Sequence, residues 1–261
     1  MVESARESDF PIKARPRIAI VYPMRDQVDG MFAVDLAIMA GYTSYAAASD
    51  STAPSTVTVS TCAGTYIADQ RNDLAQLAIE QDMSHILWLD SDMRFPKDTI
   101  FQLLARDKPI VGANYCTRVP PHKFVAHIAP EHPLKTFDDS IGIEPVAWLG
   151  FGCVLTQVDV FKNIDYPWFA IHYSEESNDF MGEDISFCRQ AILSGYEIFV
   201  DHDLTKLVRH SGRMEYNYIH ALDSMYMMEE VEKEMADGAD NELRDFTNRD
   251  RKLVEPVGSD E

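Results

Sequence analysis

The chain has 261 residues, of which 46% are hydrophobic, and a formal net charge of −20. This length allows one large domain or two small ones with a buried core. No apolar run is predicted to be long enough to cross a bilayer, and the N-terminus lacks the basic-then-apolar layout of a secretion signal. Four widely spaced cysteines without a C-x-x-C pair suit a reducing compartment. We therefore expect a soluble, cytoplasmic protein with no membrane partner.

Charge is unevenly distributed along the sequence. Residues 215–261 carry 14 acidic and 5 basic residues, whereas residues 106–135 carry five Lys or Arg, three His and two acids. A net charge of −20 disfavours nucleic acid and anionic membranes as partners. The basic stretch 106–135 is either a site for an anion or a solvated loop.

The order of the predicted elements indicates an α/β fold. After a leader (1–15) predicted to be disordered, apolar and β-branched runs predict strands at 17–24, 55–61, 85–90, 109–115 and 196–201. Helices are predicted over 65–82, over 95–105 with Pro96 at the first position, and over 182–195 with Gly195 at the end. Residues 145–161 predict a strand pair that leads into a helix. We expect one domain (16–213) with a central, mostly parallel sheet flanked by helices, then a C-terminal amphipathic helix and acidic tail (214–261).

Two aspartates separated by one residue follow the third predicted strand, in the stretch HILWLDSDMRFPKD (85–98). Residues i and i+2 share a face, so Asp90 and Asp92 point the same way if the strand geometry continues through Ser91. Such a pair suits Mg²⁺ or Mn²⁺, which bind few protein carboxylates and take their other ligands from water and phosphates. The alternative is structural, with Asp92 capping the next helix and Asp90 in a turn.

Other polar residues are expected near this pair, because ligands bind at the carboxyl ends of parallel strands. Pro23, Thr61 and Asn114 each lie at or just beyond the end of another predicted strand. In helix 65–82, a 3.6-residue period puts Arg71 on the apolar stripe that packs on the sheet. A buried guanidinium needs an anionic partner, either a diphosphate or Asp90. The alternative is an exposed arginine on a wider helix.

Two further candidates lie late in the chain. Glu183 and Asp184 open a predicted helix after a polar, loop-like stretch. Acids in a first helical turn commonly complement the helix dipole, but a carboxylate beside a cation can also accept a hydroxyl proton as a general base. His210, in LVRHSG, follows the last predicted strand. A lone histidine is more often structural than a ligand, although a neutral imidazole could join Asp92 on a divalent ion.

Seven segments in order resemble metal-dependent glycosyltransferases of the GT-A fold, of the family-2 type. They are ADQRNDLAQLA, HILWLDSDMRFP, IVGANYCTR, WLGFGCVLTQVDVF, PWF, GEDISFCRQAILSGYEIFVD and LVRHSG. The resemblance runs from about residue 17 to residue 213 and depends on the order of the segments rather than on any one of them. The chain is also similar to bacteriophage-encoded glycosyltransferases, including the TET-associated type that modifies DNA bases. The expected location is then bacterial or phage-infected host cytosol.

The resemblance implies roles for individual residues. Asp92 would be the main metal ligand, with His210 and Asp90 as further ligands, and Asp184 would be the catalytic base with Glu183 beside it. The residues implied in donor binding are Pro23, Arg71, Asn72, Asp90, Ser91 and Asp92. Gln70 departs from the family pattern, which has Ala there. The Q-x-x-R-W motif of processive synthases is missing, which implies a single transfer per acceptor.

The implied cofactor is Mn²⁺ or Mg²⁺, and the implied donor is a nucleotide sugar, with UDP-sugars favoured. The acceptor would be a hydroxyl group contacted by Trp148, Gly150, Phe151, Arg118 and Lys123. A more specific alternative is 5-hydroxymethylcytosine in phage DNA, with Trp148, Phe151 or Trp168 stacking on the base. Two other classes stay open, a phosphohydrolase with an aspartyl nucleophile and a non-catalytic nucleotide-sugar or glycan-binding module.

Overall fold

The computed structural model describes residues 14–118, 121–175 and 178–212, all within the first of the two units into which the chain divides, Met1–Gly212 and Arg213–Glu261. The strands are β1 (Arg17–Met24), β2 (Thr56–Ala63), β3 (His85–Leu89), β4 (Met93–Arg94), β5 (Ile110–Gly112), β6 (His127–Ala129), β7 (His132–Pro133), β8 (Ile143–Val146), β9 (Cys153–Gln157), β10 (His172–Ser174), β11 (Asp179–Met181), β12 (Ile198–Asp201) and β13 (Arg209–His210). The helices are α1 (Gly30–Ser49), α2 (Ile67–Glu80), α3 (Thr99–Ala105), α4 (Val158–Asn163), α5 (Glu183–Leu193) and α6 (His202–Thr205).

A seven-stranded sheet in the order β2-β1-β3-β9-β5-β12-β8 forms the centre of the described structure. Strands β2, β1 and β3 pair in parallel, as do β5 and β12. Strand β9 runs antiparallel between β3 and β5, and β8 runs antiparallel along the edge beside β12. Most strands of the sheet therefore run in one direction. The predicted α/β fold with a central, mostly parallel sheet flanked by helices is confirmed.

Both faces of the sheet are covered, which is why its central strands are unbroken apolar runs in the sequence. In β3, Ile86 and Trp88 belong to one apolar cluster, and Leu87 and Leu89 belong to the other. The first cluster includes side chains of α2, α4 and α5, and the second includes side chains of α1, α3 and α6. Helices therefore lie on both faces, and the carboxyl ends of β1 and β3 meet at one edge of the sheet.

The 20-residue helix α1 has no counterpart among the predicted elements. The Asp29 carboxylate caps it by accepting hydrogen bonds from the amides of Met31 and Phe32, at 2.9 and 3.3 Å. Its apolar residues are spread around the helix, so no 3.6-residue stripe marks it. Among the described residues, α1 is long and apolar enough, by length and composition alone, to cross a bilayer. That finding corrects the expectation that no apolar run is so long.

The start of α3 also differs from the prediction. The helix begins at Thr99 with Asp98 at the cap position, so Pro96 precedes the helix and does not open it. The Thr99 hydroxyl donates to the Pro96 carbonyl at 2.7 Å, which closes a turn before the helix starts. At the end of α5 the prediction is confirmed: Gly195 has a φ of +87°, the left-handed geometry that glycine adopts at low cost.

The predicted segments at the two ends of the chain fall mainly outside the described residues. Arg15, the last residue of the predicted leader, donates from Nε to the carbonyl of Ala53 and from Nη2 to that of Ala47, each at 2.9 Å. Residues 1–13 and the C-terminal helix and tail lie outside the described part of the chain. The domain boundaries at 15/16 and 213/214 stay predictions.

Candidate functional site

A cleft of about 490 Å³ opens at the carboxyl ends of β1 and β3. Five residues predicted to bind the donor or the metal line it, namely Pro23, Asp90, Ser91, Asp92 and His210. Ligand pockets commonly measure about 300–1,000 Å³, so the cleft has the size of a small-molecule site. The structure thus brings these residues together from the beginning, middle and end of the described chain.

The aspartate pair lies in a turn between β3 and β4. The Asp90 amide donates to the Gly152 carbonyl at 3.0 Å, and the Met93 amide donates to the Asp90 carbonyl at 3.1 Å. Because β4 intervenes and Asp98 takes the cap position of α3, Asp92 does not cap the following helix. The structural alternative for Asp92 is therefore wrong, while Asp90 does begin a turn.

Asp92 lies between the side chains of Arg118 and His210. Arg118 Nη1 donates to Asp92 Oδ2, and His210 Nε2 lies 3.3 Å from Asp92 Oδ1. His210 reaches this position because β13 pairs with β4, which sets it opposite Met93. Burial raises the pKa of Asp92, but His210 and Arg118 outweigh burial and lower that pKa below its ordinary value. Burial lowers the pKa of His210, but Asp92 and the Cys116 carbonyl outweigh burial and raise it.

Arg71 is almost fully buried and joins two parts of the site. Its Nη2 donates to Asp90 Oδ1 at 3.0 Å, and its Nη1 donates to Glu183 Oε1 at 2.5 Å. The guanidinium carbon lies 5.5 Å from the ring centre of Phe151 and 5.9 Å from that of Phe169. The prediction of a buried arginine is confirmed, and of its two candidate anionic partners the structure shows Asp90. Arg71 holds the end of β3 against the start of α5.

Asp184 lies in the first turn of α5, next to the residue that Arg71 binds. Its Oδ1 accepts a hydrogen bond from the Ile185 amide at 2.8 Å. Burial raises the pKa of Asp184; the Arg71 charge offsets part of that effect, and the neighbouring Glu183 adds to it. The net result is a carboxyl group with a raised pKa. A carboxylate with a raised pKa is a better proton acceptor near neutral pH.

Tyr115 is a site residue that the sequence analysis does not single out. Its hydroxyl accepts a hydrogen bond from the Gly152 amide at 3.1 Å, and its ring meets the His210 ring edge-on at 5.2 Å. A Cβ atom added to Gly150 or Gly152 would lie 2.6 Å from atoms of Tyr115. The two glycines are therefore needed because the tyrosine ring lies directly over them. Sequence shows the glycines but not the ring that requires them.

Gln70 is a second site residue without a predicted role. Its Nε2 donates to the Met24 carbonyl at 2.8 Å, and the Gly64 amide donates to the same carbonyl at 3.0 Å. All three residues line the cleft. The sequence feature that marks Gln70 is that the family which the chain resembles has Ala at this position. Here the longer side chain ties α2 to the end of β1.

Three predicted site residues belong to the packing instead of the cleft. The Asn72 side chain donates to the Phe169 carbonyl at 2.8 Å and accepts from the Phe169 amide at 3.1 Å. Phe151 is 1% exposed and packs edge-on against Trp88, and Trp168 is 6% exposed. Asn72 is therefore not available for the predicted donor contact, and neither ring offers a face to an acceptor base. These positions correct the sequence-based assignments.

The remaining predicted acceptor residues do not form one group. Trp148 is half-buried and stacks on His127, with 5.0 Å between ring centres and 19° between the planes. Gly150 is buried under Tyr115, and Lys123 is exposed. Arg118 lines the cleft predicted for the donor. An acceptor site made of these residues stays a prediction, and Arg118 is better placed for the donor.

Thr61 and Asn114 were expected at the crevice but do not line it. The Thr61 hydroxyl donates to the Tyr22 carbonyl at 2.7 Å. The Asn114 side chain donates to the Leu134 carbonyl at 2.8 Å and accepts from the Ala126 amide at 2.9 Å. Both side chains are used to hold neighbouring backbone. A residue that follows a strand in the sequence therefore lines the cleft only if the next loop directs its side chain there.

Comparisons with known proteins show only distant similarity. No family model matches the chain, and no curated protein matches it. Similar solved structures include A197 from STIV, with a TM-score of 0.46 and 12% identity over 77% of this chain and 99% of that one. Another is a glycosyltransferase involved in glycosylation of the major capsid of PBCV-1, with a TM-score of 0.40 and 15% identity over 77% of this chain and 95% of that one. Similarity this distant carries no conclusion about activity.

Proposed function

We propose that the chain is a glycosyltransferase that moves a single sugar from a nucleotide-diphosphate sugar to a hydroxyl acceptor with a divalent metal ion. The observation that carries this proposal is the buried Arg71, which joins the aspartate pair of the cleft to the acidic start of α5. Asp92 meets His210, Asp90 meets Arg71, and Arg71 in turn meets Glu183 beside Asp184. Arg71 thereby links Asp90, two residues before the proposed metal ligand Asp92, to the first turn of α5, where burial raises the pKa of Asp184.

The cleft supports a donor that carries phosphates. Its lining includes two arginines, Arg25 and Arg118, in a chain with a net charge of −20. Arginine binds phosphate oxygens through two parallel hydrogen bonds, which makes it suited to a diphosphate. Arg71 is engaged with Asp90 and Glu183, so its role in this proposal is to position those carboxylates. That role replaces the direct phosphate contact expected from sequence.

The side chains at Asp92 fit a divalent ion of the Mg²⁺ or Mn²⁺ type. His210 Nδ1 lies 3.0 Å from the Cys116 carbonyl. With its proton on Nδ1, the neutral imidazole would present the Nε2 lone pair to a cation bound at Asp92, as in many metal-binding histidines. The described residues contain no group of three or more His, Cys, Asp or Glu placed to hold a metal, so Asp92 and His210 would be the two protein ligands. Water and donor phosphates would supply the other ligands, and the ion would stabilise charge on the departing diphosphate.

Asp184 is the proposed general base. The acceptor hydroxyl would transfer its proton to the Asp184 carboxylate as its oxygen attacks the sugar carbon, while the bond to the nucleoside diphosphate breaks. The raised pKa of Asp184 supports this role, because the carboxylate gains affinity for a proton from burial. Glu183 binds Arg71 and therefore positions the start of α5.

The acceptor is proposed only as a hydroxyl group. A hydroxymethylated DNA base is the second candidate, supported by exposed Lys123 in the basic stretch 106–135. The net charge of −20 opposes binding of a polyanion. If DNA is the acceptor, Lys123→Glu should weaken DNA binding and reduce its dependence on salt. Binding that is indifferent to this change would remove DNA as the acceptor.

The proposal is tested by a thermal-shift panel of UDP-, GDP- and dTDP-sugars with and without Mn²⁺. We expect at least one nucleotide sugar to raise the melting temperature, and Mn²⁺ to increase that shift, because a ligand that binds the folded state stabilises it. A panel in which no nucleotide sugar changes the melting temperature, with or without Mn²⁺, would contradict the proposed donor class.

A further inference from the structure

We propose that Arg118 is an internal counter-ion of Asp92 that makes metal binding depend on the donor. In the structure Arg118 Nη1 donates to Asp92 Oδ2, while His210 holds Oδ1. The Arg118 guanidinium thus neutralises the carboxylate that a divalent ion would bind. This inference rests on the proposed function and adds a role for a residue that the resemblance assigned to the acceptor.

Arg118 is able to leave Asp92 at low cost. Its side chain is 49% exposed, and exposed ion pairs contribute little to stability. Its aliphatic part lies over Gly212, where an added Cβ would be 3.4–3.6 Å from three of its carbons. The aliphatic part of Arg118 therefore lies against Gly212, while its guanidinium group borders the cleft. Arg71, at 3% exposed and bound to two carboxylates, has no comparable freedom.

A diphosphate is a stronger partner for Arg118 than Asp92 is. It offers more oxygen atoms and more negative charge than one carboxylate, and arginine can bind it through two hydrogen bonds. Both Arg118 and Asp92 line the same cleft, so the guanidinium can change partner by rotating about side-chain bonds. Once Arg118 turns to the phosphates, Asp92 is left with His210 and attracts a new cation.

The net charge of the cleft stays the same through this exchange. Without a ligand, Arg118 compensates Asp92, while Arg71 is shared by Asp90 and Glu183. The diphosphate of a nucleotide sugar carries two negative charges, so it enters with a divalent ion as a neutral pair. A divalent ion that arrives alone must displace Arg118 without that compensation. Metal and donor should therefore bind with positive coupling.

The test measures Mn²⁺ binding to the full chain by electron paramagnetic resonance, with and without UDP. In the unmodified chain, UDP should tighten Mn²⁺ binding by about tenfold or more. In Arg118→Ala, Mn²⁺ alone should bind several-fold more tightly than it does to the unmodified chain. The factor by which UDP tightens Mn²⁺ binding should decrease by about the same amount. UDP alone should bind this variant more weakly. Arg118→Lys keeps a positive charge and should behave more like the unmodified chain.

Arg17→Ala is the matched control, because Arg17 makes a similarly exposed ion pair with Asp82 outside the cleft. It should leave both affinities unchanged. Arg118→Gln, which keeps much of the side-chain length, provides a second variant if the alanine variant does not fold. The inference is overturned if the unmodified chain binds Mn²⁺ and UDP together, but Arg118→Ala and Arg118→Gln both bind Mn²⁺ with unchanged affinity and show an unchanged effect of UDP on that affinity. If the unmodified chain binds neither, the proposed function fails with it.

Discussion

Arg71 and Asp90 form an ion pair of 3.0 Å between Nη2 and Oδ1, with the arginine side chain only 3% exposed. The same guanidinium binds Glu183, so the end of β3 and the start of α5 are held by one buried positive charge. Removing that charge would leave the half-buried carboxylates of Asp90 and Glu183 near each other without a cation. The stability of the fold and the geometry of the site are therefore coupled at this residue.

Arg71→Met should lower the free energy of unfolding by about 3 kcal/mol, because it leaves two half-buried carboxylates close together without the cation that pairs them. Urea denaturation followed by circular dichroism measures the change. Lys162→Met is the matched control, since Lys162 and Asp159 form an exposed ion pair. The control should change stability by less than about 1 kcal/mol. Equal effects of the two substitutions would mean that Arg71 is not a structural link.

Asp184→Asn should slow sugar transfer by about 100- to 10,000-fold while leaving donor affinity unchanged, because it removes a proton acceptor and keeps the side-chain shape. Transfer rates and donor titrations on the same preparation provide the measurement. Asp159→Asn makes the same change in the first turn of α4 and serves as the control. Unaltered transfer in Asp184→Asn would remove this residue as the base, whereas no transfer by either protein, with normal donor binding, would favour a non-catalytic binding module.

The raised pKa of Asp184 also predicts how the effect of Asp184→Asn on the free energy of unfolding changes with pH. Because the folded state binds this proton more tightly than the unfolded state, stability falls as pH rises from the ordinary value of 3.8 through the raised pKa. At neutral pH the charged Asp184 thus opposes folding. Asp184→Asn should be more stable than the unmodified chain at pH 7, with a smaller difference at pH 5. A difference that grows on acidification would contradict the sign of the shift.

Gly152→Ala should destabilise the fold by about 1–3 kcal/mol, because the new methyl group would overlap the Tyr115 ring. Thermal and urea denaturation measure this loss. Gly41→Ala in α1 is the control with the opposite expected sign, since its Cβ would meet nothing within 4 Å and alanine favours a helix. A neutral Gly152→Ala would show that Tyr115 can move without cost.

The site could be predicted from sequence where a local pattern and a strand end coincide. Arg71 falls on an apolar helical stripe, and Asp90 follows an unbroken apolar strand, so their meeting follows from general rules of α/β sheets. The same rules place Pro23 at the cleft. His210 is a candidate because it follows the last predicted strand, but its approach to Asp92 depends on the pairing of β13 with β4, which no local pattern reveals.

Other features depend on contacts that no local pattern reveals. Helix α1 is apolar on several sides, so it lacks the one-sided stripe that identifies a helix. Tyr115 acts by covering glycines far along the chain. Arg118 reaches Asp92 because the chain folds back on itself after β5, where the Thr117 amide donates to the Lys123 carbonyl at 2.8 Å. Each of these depends on tertiary packing instead of sequence spacing.

The most direct measurement is nucleoside diphosphate release from a nucleotide sugar, with Mn²⁺, Mg²⁺ or a chelator, by the unmodified chain and by Asp92→Ala. We predict release that requires the divalent ion and is lost in Asp92→Ala, while the folded stability of the variant is retained. Release at the same rate in the variant, or release that is indifferent to the chelator, would contradict a metal-assisted transfer at this cleft.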